Sequence, residues 1–285
     1  MTGILPPARP ARPTLEQLRA VAQPPEVRSR KNAEHWTAEL YLRHISIYLT
    51  SMLVRTPISA NGVTGLMILS GWAISACLLI PGIWGPLLAV FCSQLQLYFD
   101  CSDGEVARWR GTQSPKGIFL DKIGHYTTEG LIPLALAARC LGGFGLLGPD
   151  PDRSLLHLAW FHMFLGAVLA LLIVLNKAQN EMVHASRALA GLDKLPDTAE
   201  AKAVPAASLV GRLRRLARFV PFHRVLHSVE MSLLVLAASV VSLLFGGAAD
   251  PVLGERWLLY VLVPAVLFVN VGHFMAIMAS PRLRR

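Results

Sequence analysis

The residues best suited to chemistry in this chain lie between positions 100 and 125. Asp100, Asp103, Gly104, Ala107 and Arg108 fall within about 140° of each other on one helix face, at about 100° per residue. After eight intervening residues come Gly117, Asp121 and His125, with Asp121 and His125 at i, i+4 and so one above the other on a second helix. No Asp, Glu, Lys or Arg occurs from Thr56 to Phe99, so these carboxylates stand at the edge of an apolar stretch. Carboxylates there are costly unless neutralised. Hard divalent ions such as Mg²⁺ take carboxylate oxygens together with substrate phosphate oxygens. Gly104 and Ala107 have almost no side chain, which lets a ligand approach the backbone; such small residues also allow close helix packing in membranes. Arg108 offers a planar donor fork suited to phosphate. The set reads as a metal-bound diphosphate site.

The stretch resembles the signature of the CDP-alcohol phosphotransferases, D-x-x-D-G-x-x-A-R-x(8)-G-x-x-x-D-x-x-x-D. Seven of its eight fixed residues are present: Asp100, Asp103, Gly104, Ala107, Arg108, Gly117 and Asp121. The eighth, the last Asp, is His125 here. Upstream, Ala60-Asn61-Gly62-Val63-Thr64 is similar to the family's P-N-x-V-T segment, with Ala60 in place of Pro. The resemblance implies a six-helix membrane fold behind an interfacial N-terminal helix, an active site at the cytosolic side, and a homodimer. It implies transfer of a phospho-alcohol group, such as phosphatidyl, from a CDP-alcohol to an acceptor hydroxyl with release of CMP. It assigns Asp100, Asp103 and Asp121 to metal ions, Mg²⁺ or Mn²⁺. It assigns Asn61, Thr64, Gly104, Ala107, Arg108, Ser114 and Gly117 to the CDP-alcohol, which could be CDP-diacylglycerol. Asn61 and Thr64 could equally begin and cap a helix.

His125 takes the position that in the family binds metal and acts as base toward the acceptor hydroxyl. Three carboxylates rather than four weaken a second Mg²⁺ or favour an ion that accepts imidazole. A neutral imidazole is a competent general base near pH 7. Three readings follow: His125 is the base of a variant transferase, Glu129 one turn further on supplies the missing carboxylate, or the protein binds a CDP-alcohol and metal without turning it over.

The elements that must position these residues are membrane helices. Of 285 residues, 53% are hydrophobic and 16% charged, too apolar for a soluble domain and incompatible with disorder over most of the length. The expected fold is all-α, with spans near 62–80, 83–99, 118–138, 155–175, 231–249 and 257–280. The third carries Asp121, Lys122, His125 and Glu129, as a functional intramembrane helix does. Intramembrane carboxylates cluster in one half, unlike the paired broken helices of a transporter. The net charge of +9 describes topology: 24 of 27 Lys and Arg fall on one side of this arrangement, leaving Arg139, Arg153 and Arg256 on the other. The positive-inside rule then puts both termini in the cytosol, in an inner (plasma) membrane, and nucleic-acid binding is not needed to explain the charge. No apolar signal region is visible at the start.

Residues 1–33 read as a disordered Pro/Arg-rich tail, with some helical character from about 14 to 30, ahead of a membrane domain over 34–285. Residues 34–55 read as an interfacial helix with Ala38, Leu42, Ile45, Leu49 and Leu53 on one side. A flexible loop is expected at about 188–222. Within it Arg212, Arg215 and Arg218 are either positive-inside charge near anionic head groups or a phosphate patch for a phosphorylated acceptor such as a polyol phosphate. Asn176, Lys177 and Asn180 are weaker candidates for the same role. Glu105 reads as a rim residue pointing away from the Asp face. His157, His162 and His273 read as interhelical hydrogen-bonding residues, and Gln94 and Gln96 as helix contacts or path lining. The four cysteines read as small apolar residues, neither disulfide-bonded nor zinc-binding.

Overall fold

The computed structural model describes residues 9–10, 12–25, 41–143, 156–193 and 226–283. Every regular element among them is helical: α1 (Leu15–Ala22), α2 (Arg43–Leu53), α3 (Ala60–Leu78), α4 (Trp84–Arg110), α5 (Pro115–Arg139), α6 (Leu156–Leu189), α7 (Ser228–Val241) and α8 (Leu253–Ala279). A π-helical turn, Ser242–Gly246, extends α7. Four helical stretches are long and apolar enough to cross a membrane: Ala60–Leu78, Leu158–Leu189, Ser228–Gly246 and Leu253–Ala279. They correspond to the first, fourth, fifth and sixth expected spans. The second and third expected spans lie in α4 and α5, which form as helices but carry the polar residues of the site.

The chain divides into two compact units, Met1–Ser70 with Gln94–Gly124, and Gly71–Ser93 with His125–Arg285. In the first unit, Thr14 starts α1 with a capping box. Its hydroxyl accepts from the Gln17 N–H at 3.2 Å, and the Gln17 amide oxygen accepts from the Thr14 N–H at 3.0 Å. The helix lies inside the stretch expected to be a disordered tail. The T-x-x-Q box gives it a start, and burial of Leu18 and Ala22 against Ile47, Val54, Val106 and Trp109 holds it down. On α2 the buried face is Ser46, Ile47, Thr50 and Ser51, whereas Ile45, Tyr48 and Met52 are exposed. The expected stripe is therefore split: Leu42 is buried and Ile45 is exposed. Residues 34–40 of that expected helix lie outside the described residues.

α5 approaches α3 at Gly124. A β-carbon there would sit 2.7 Å from Ile68 Cγ1 and 2.9 Å from Met67 Cε, so only glycine allows this contact without a shift.

The second unit is built on an apolar core that includes Ile74, Leu78, Ile132, Leu136, Leu169, Ile173 and Leu259. Arg139, expected as one of the few charges on the far side, is buried. Its Nη1 donates to the carbonyls of Leu78 (3.2 Å) and Ile80 (2.7 Å), and its Nη2 to that of Gly82 (2.6 Å). These carbonyls lie at the end of α3 and in the turn after it, where helix geometry leaves acceptors unfilled. Arg139 Nε pairs with Glu255 at 3.0 Å, and Ser239 and Ser242 donate to the same carboxylate. Removing one partner of a buried pair leaves the other uncompensated. Glu255→Ala should lower unfolding stability by about 3–5 kcal/mol, read as a fall in thermal midpoint of the detergent-solubilised protein.

α6 runs on past the expected end of its span to Leu189 and carries Asn176, Lys177 and Asn180 on its last turns. His162 on this helix bonds the Tyr260 hydroxyl through Nε2 at 2.9 Å, the interhelical role expected of it. All four cysteines are free thiols, with Cys77 and Cys92 sulfurs 3.9 Å apart. The expected loop lies outside the described residues from 194 onward, and Arg212, Arg215 and Arg218 with it.

Candidate active site

α4 ends and α5 begins within five residues, and the local sequence explains why. Gly111 has φ +68° and the Thr112 N–H reaches back to the Ala107 carbonyl at 3.0 Å, the closing bond of a Schellman motif. Ser114 then caps α5, its hydroxyl accepting the Gly117 N–H at 3.2 Å, and Pro115 takes the first helical position, where its missing N–H costs nothing. This turn brings the two halves of the signature together. Asp100 on α4 and Asp121 on α5 each offer a carboxylate oxygen within 4.8 Å of the other. His125 stands one turn beyond Asp121 on the same unbroken helix, and a ring nitrogen lies within that distance of the Asp121 oxygen. Two carboxylates and an imidazole form a mixed oxygen and nitrogen donor set. That chemistry fits a divalent cation that accepts imidazole, such as Mn²⁺, alongside Mg²⁺.

Asp103, one turn along from Asp100, makes a different bond. The Thr64 hydroxyl donates to Asp103 Oδ2 at 2.6 Å. The charges of Asp100 and Asp121 also act on this carboxylate. Three acids so placed resist simultaneous ionisation, the electrostatic condition a bound cation relieves.

The upstream segment meets the signature as well. Ser59, not Asn61, caps α3, with its hydroxyl accepting the Gly62 N–H at 3.0 Å. Asn61 Oδ1 instead lies 3.2 Å from where a Gly117 β-carbon would be, and Ser114 Oγ is 3.6 Å from the same point. Asn61, Ser114 and Gly117 thus adjoin, and Thr64 reaches Asp103. The guanidinium of Arg108 folds back over Gly104, where an added β-carbon would stand 3.1 Å from Nη1. Arg108 Nε donates to the Ala22 carbonyl at 2.6 Å. Ala107 is partly buried beside this arginine and packs against the cluster around Val106.

Some residues had other duties than the sequence suggested. Glu105 is buried, not at the rim: its carboxylate accepts from Gln23, Ser46 and Thr50. Arg110 was not singled out at all, yet it ties down the connection from α2 to α3. Its Nη2 donates to the carbonyls of Leu53 (3.2 Å) and Thr56 (2.7 Å), and its Nη1 to that of Ile58. A basic residue in the last turn of α4, just after Arg108, was the available signal. In the second unit, Glu129 accepts from Lys177 Nζ at 2.8 Å and pairs with His227 Nδ1 at 3.2 Å. Glu129 is thereby committed as an ion-pair partner, which argues against its serving as the missing fourth carboxylate. Lys177 also lies 5.5 Å from the centre of the Tyr126 ring.

A family model for CDP-alcohol phosphatidyltransferase matches residues 57–243, about two thirds of the chain. The protein belongs to this family. The match begins just before α3 and takes in the whole signature from Asp100 to position 125. Comparison with curated proteins gives no match. Membership implies a transferase that moves a phospho-alcohol group from a CDP-alcohol, in a family typically dependent on divalent metal. The apolar helices agree with a membrane protein.

Proposed function

We propose that this protein is a catalytically competent CDP-alcohol phosphotransferase whose acceptor-activating base is His125. The observation that carries the reading is the convergence of Asp100 and Asp121 with His125 one helical turn beyond, in a chain that keeps the other signature residues. Asp100, Asp103 and Asp121 would hold the cation, which leaves the one lone pair of a neutral His125 ring free to take a proton. A divalent ion bound there would neutralise the diphosphate and the departing CMP. Arg108 grips the diphosphate. Asn61, Thr64, Ser114 and Gly117 line the CDP moiety, while Gly104 and Ala107 leave it room. His125 takes the proton of the acceptor hydroxyl, whose oxygen forms a bond to the phosphorus of the CDP-alcohol. The bond from that phosphorus to the bridging oxygen breaks, and CMP leaves with the electron pair. The product is a phosphodiester.

The wider arrangement belongs to the same proposal. α4 and α5, at 27 and 25 residues, are long enough to cross a bilayer at 1.5 Å per residue, which makes six spans. α2, with Ile45, Tyr48 and Met52 exposed, is the interfacial helix. Both termini face the cytosol of a plasma membrane, and the active form is a homodimer. The acceptor is a polyol phosphate held by Arg212, Arg215 and Arg218. The test is CMP release by purified protein with Mg²⁺ or Mn²⁺. CDP-diacylglycerol and soluble CDP-alcohols are screened against glycerol phosphate, inositol phosphate, inositol and serine. Acceptor-dependent CMP release is expected for at least one pair, and release with none would sink the proposal.

A further inference from the structure

Upstream of the family-matched residues, α1 docks onto α4 beside the signature at two adjacent points. The first is Arg108 Nε on the Ala22 carbonyl at 2.6 Å. Ala22 ends α1, so its carbonyl is one of the acceptors that helix geometry leaves unfilled. The second is Gln23, 3% exposed, whose Nε2 donates to Glu105 Oε1 at 2.8 Å and to the Arg43 carbonyl at 2.9 Å. Glu105 itself is 1% exposed, and Ser46 (2.8 Å) and Thr50 (2.6 Å) on α2 complete its set of donors. A buried carboxylate is tolerated only with such donors around it. Glu105 and Arg108 are three residues apart on α4, matching the adjacent Ala22 and Gln23 on the other side. Leu18 and Ala22 bury against Val106 and Trp109 around these bonds, and Arg9 stacks 5.7 Å from the Trp109 ring centre.

Holding a guanidinium by Nε leaves its orientation set by a fixed partner, so the terminal Nη pair presents one geometry to a diphosphate. We propose that the segment around Ala22 and Gln23 is a working part of the CDP-alcohol site, fixing Arg108 through the Ala22 carbonyl, with Gln23 and Glu105 as the positioning residues that hold that carbonyl in place. The inference rests on Arg108 being a diphosphate ligand. Neither Gln23 nor Glu105 needs to touch the substrate. Their influence passes through Arg108, which distinguishes them from residues that only stabilise the fold.

The test is CDP binding to the full-length protein in detergent with Mn²⁺, measured by titration calorimetry. Gln23→Leu should weaken CDP binding about tenfold, the effect of one displaced charge-assisted contact. In an Arg108→Ala background the same substitution should change the Kd less than twofold, because the residue through which it acts is gone. Glu105→Gln keeps a carbonyl oxygen to accept from the Gln23 amide and should hold the Kd within a few fold of wild type. An unchanged Kd in Gln23→Leu overturns the inference, and so does an equal loss with and without Arg108. If Gln23→Leu does not fold, the milder Gln23→Asn, which shortens the same amide, decides: weaker CDP binding that vanishes as a difference in the Arg108→Ala background supports positioning, and an unchanged Kd overturns it. Failure of the wild-type protein to bind CDP overturns the reading of the site, and this inference falls with it.

Discussion

Asp121→Asn is expected to lower CMP release on the order of 10³-fold, the loss typical of removing one electrostatic contact aimed at developing charge. Asp121 is the residue on which the site turns. Its carboxylate adjoins Asp100 on the neighbouring helix and His125 on its own. Replacing one oxygen by an amide nitrogen removes a charge from the cation site and places a donor toward it. The fold should survive, because Asn is nearly isosteric and Asp121 repels Asp103 in the metal-free protein. Paired measurements separate chemistry from folding: CMP release falls, while the thermal midpoint without metal holds or rises slightly. Loss of the Mn²⁺-induced rise in midpoint would tie the defect to the cation.

His125→Ala is expected to slow CMP release by about 10²–10⁴-fold, the usual range for a positioned general base. The same substitution should leave CDP affinity within a few fold, since the cytidine and diphosphate contacts are assigned to other residues. An imidazole base also predicts a rate that declines on the acid side as His125 takes up a proton. His125→Gln keeps a polar side chain of similar reach but cannot take the proton, and should resemble alanine in rate.

The spacing of the candidate residues was more legible in the sequence than the surroundings that hold them. Spacing alone put Asp100 and Asp103 on one helix face and Asp121 over His125, and the turn between them is written in Gly111, Ser114 and Pro115. The similarity of residues 60–64 to a known segment assigned Asn61 to the same ligand as Gly117, and the two adjoin. Glu105 was harder. Its angle on α4 does point it away from Asp100, as read, but direction says nothing of what waits there. Its partners come from positions 23, 46 and 50, and no local pattern announces contacts over such separations. For the same reason nothing in the sequence marked Ser46 and Thr50, which lie on the face of α2 that meets the buried carboxylate. Arg139 was counted by sign and side, whereas its burial depends on three carbonyls near the end of α3 and a carboxylate on α8. The helix α1 falls within the residues given some helical character, about 14 to 30, and its capping box sharpens that reading. Polar residues that satisfy one another across remote positions are what one-dimensional pattern leaves hidden.

The most direct measurement is CMP release by wild-type protein beside His125→Asp, in the same detergent and Mn²⁺, across the panel of CDP-alcohols and acceptors. The account predicts that the wild-type protein releases CMP in an acceptor-dependent manner and that His125→Ala does not. Silence from the wild-type protein with every pair, together with release by His125→Asp, would contradict it and show that the histidine had turned a transferase site into a binding site.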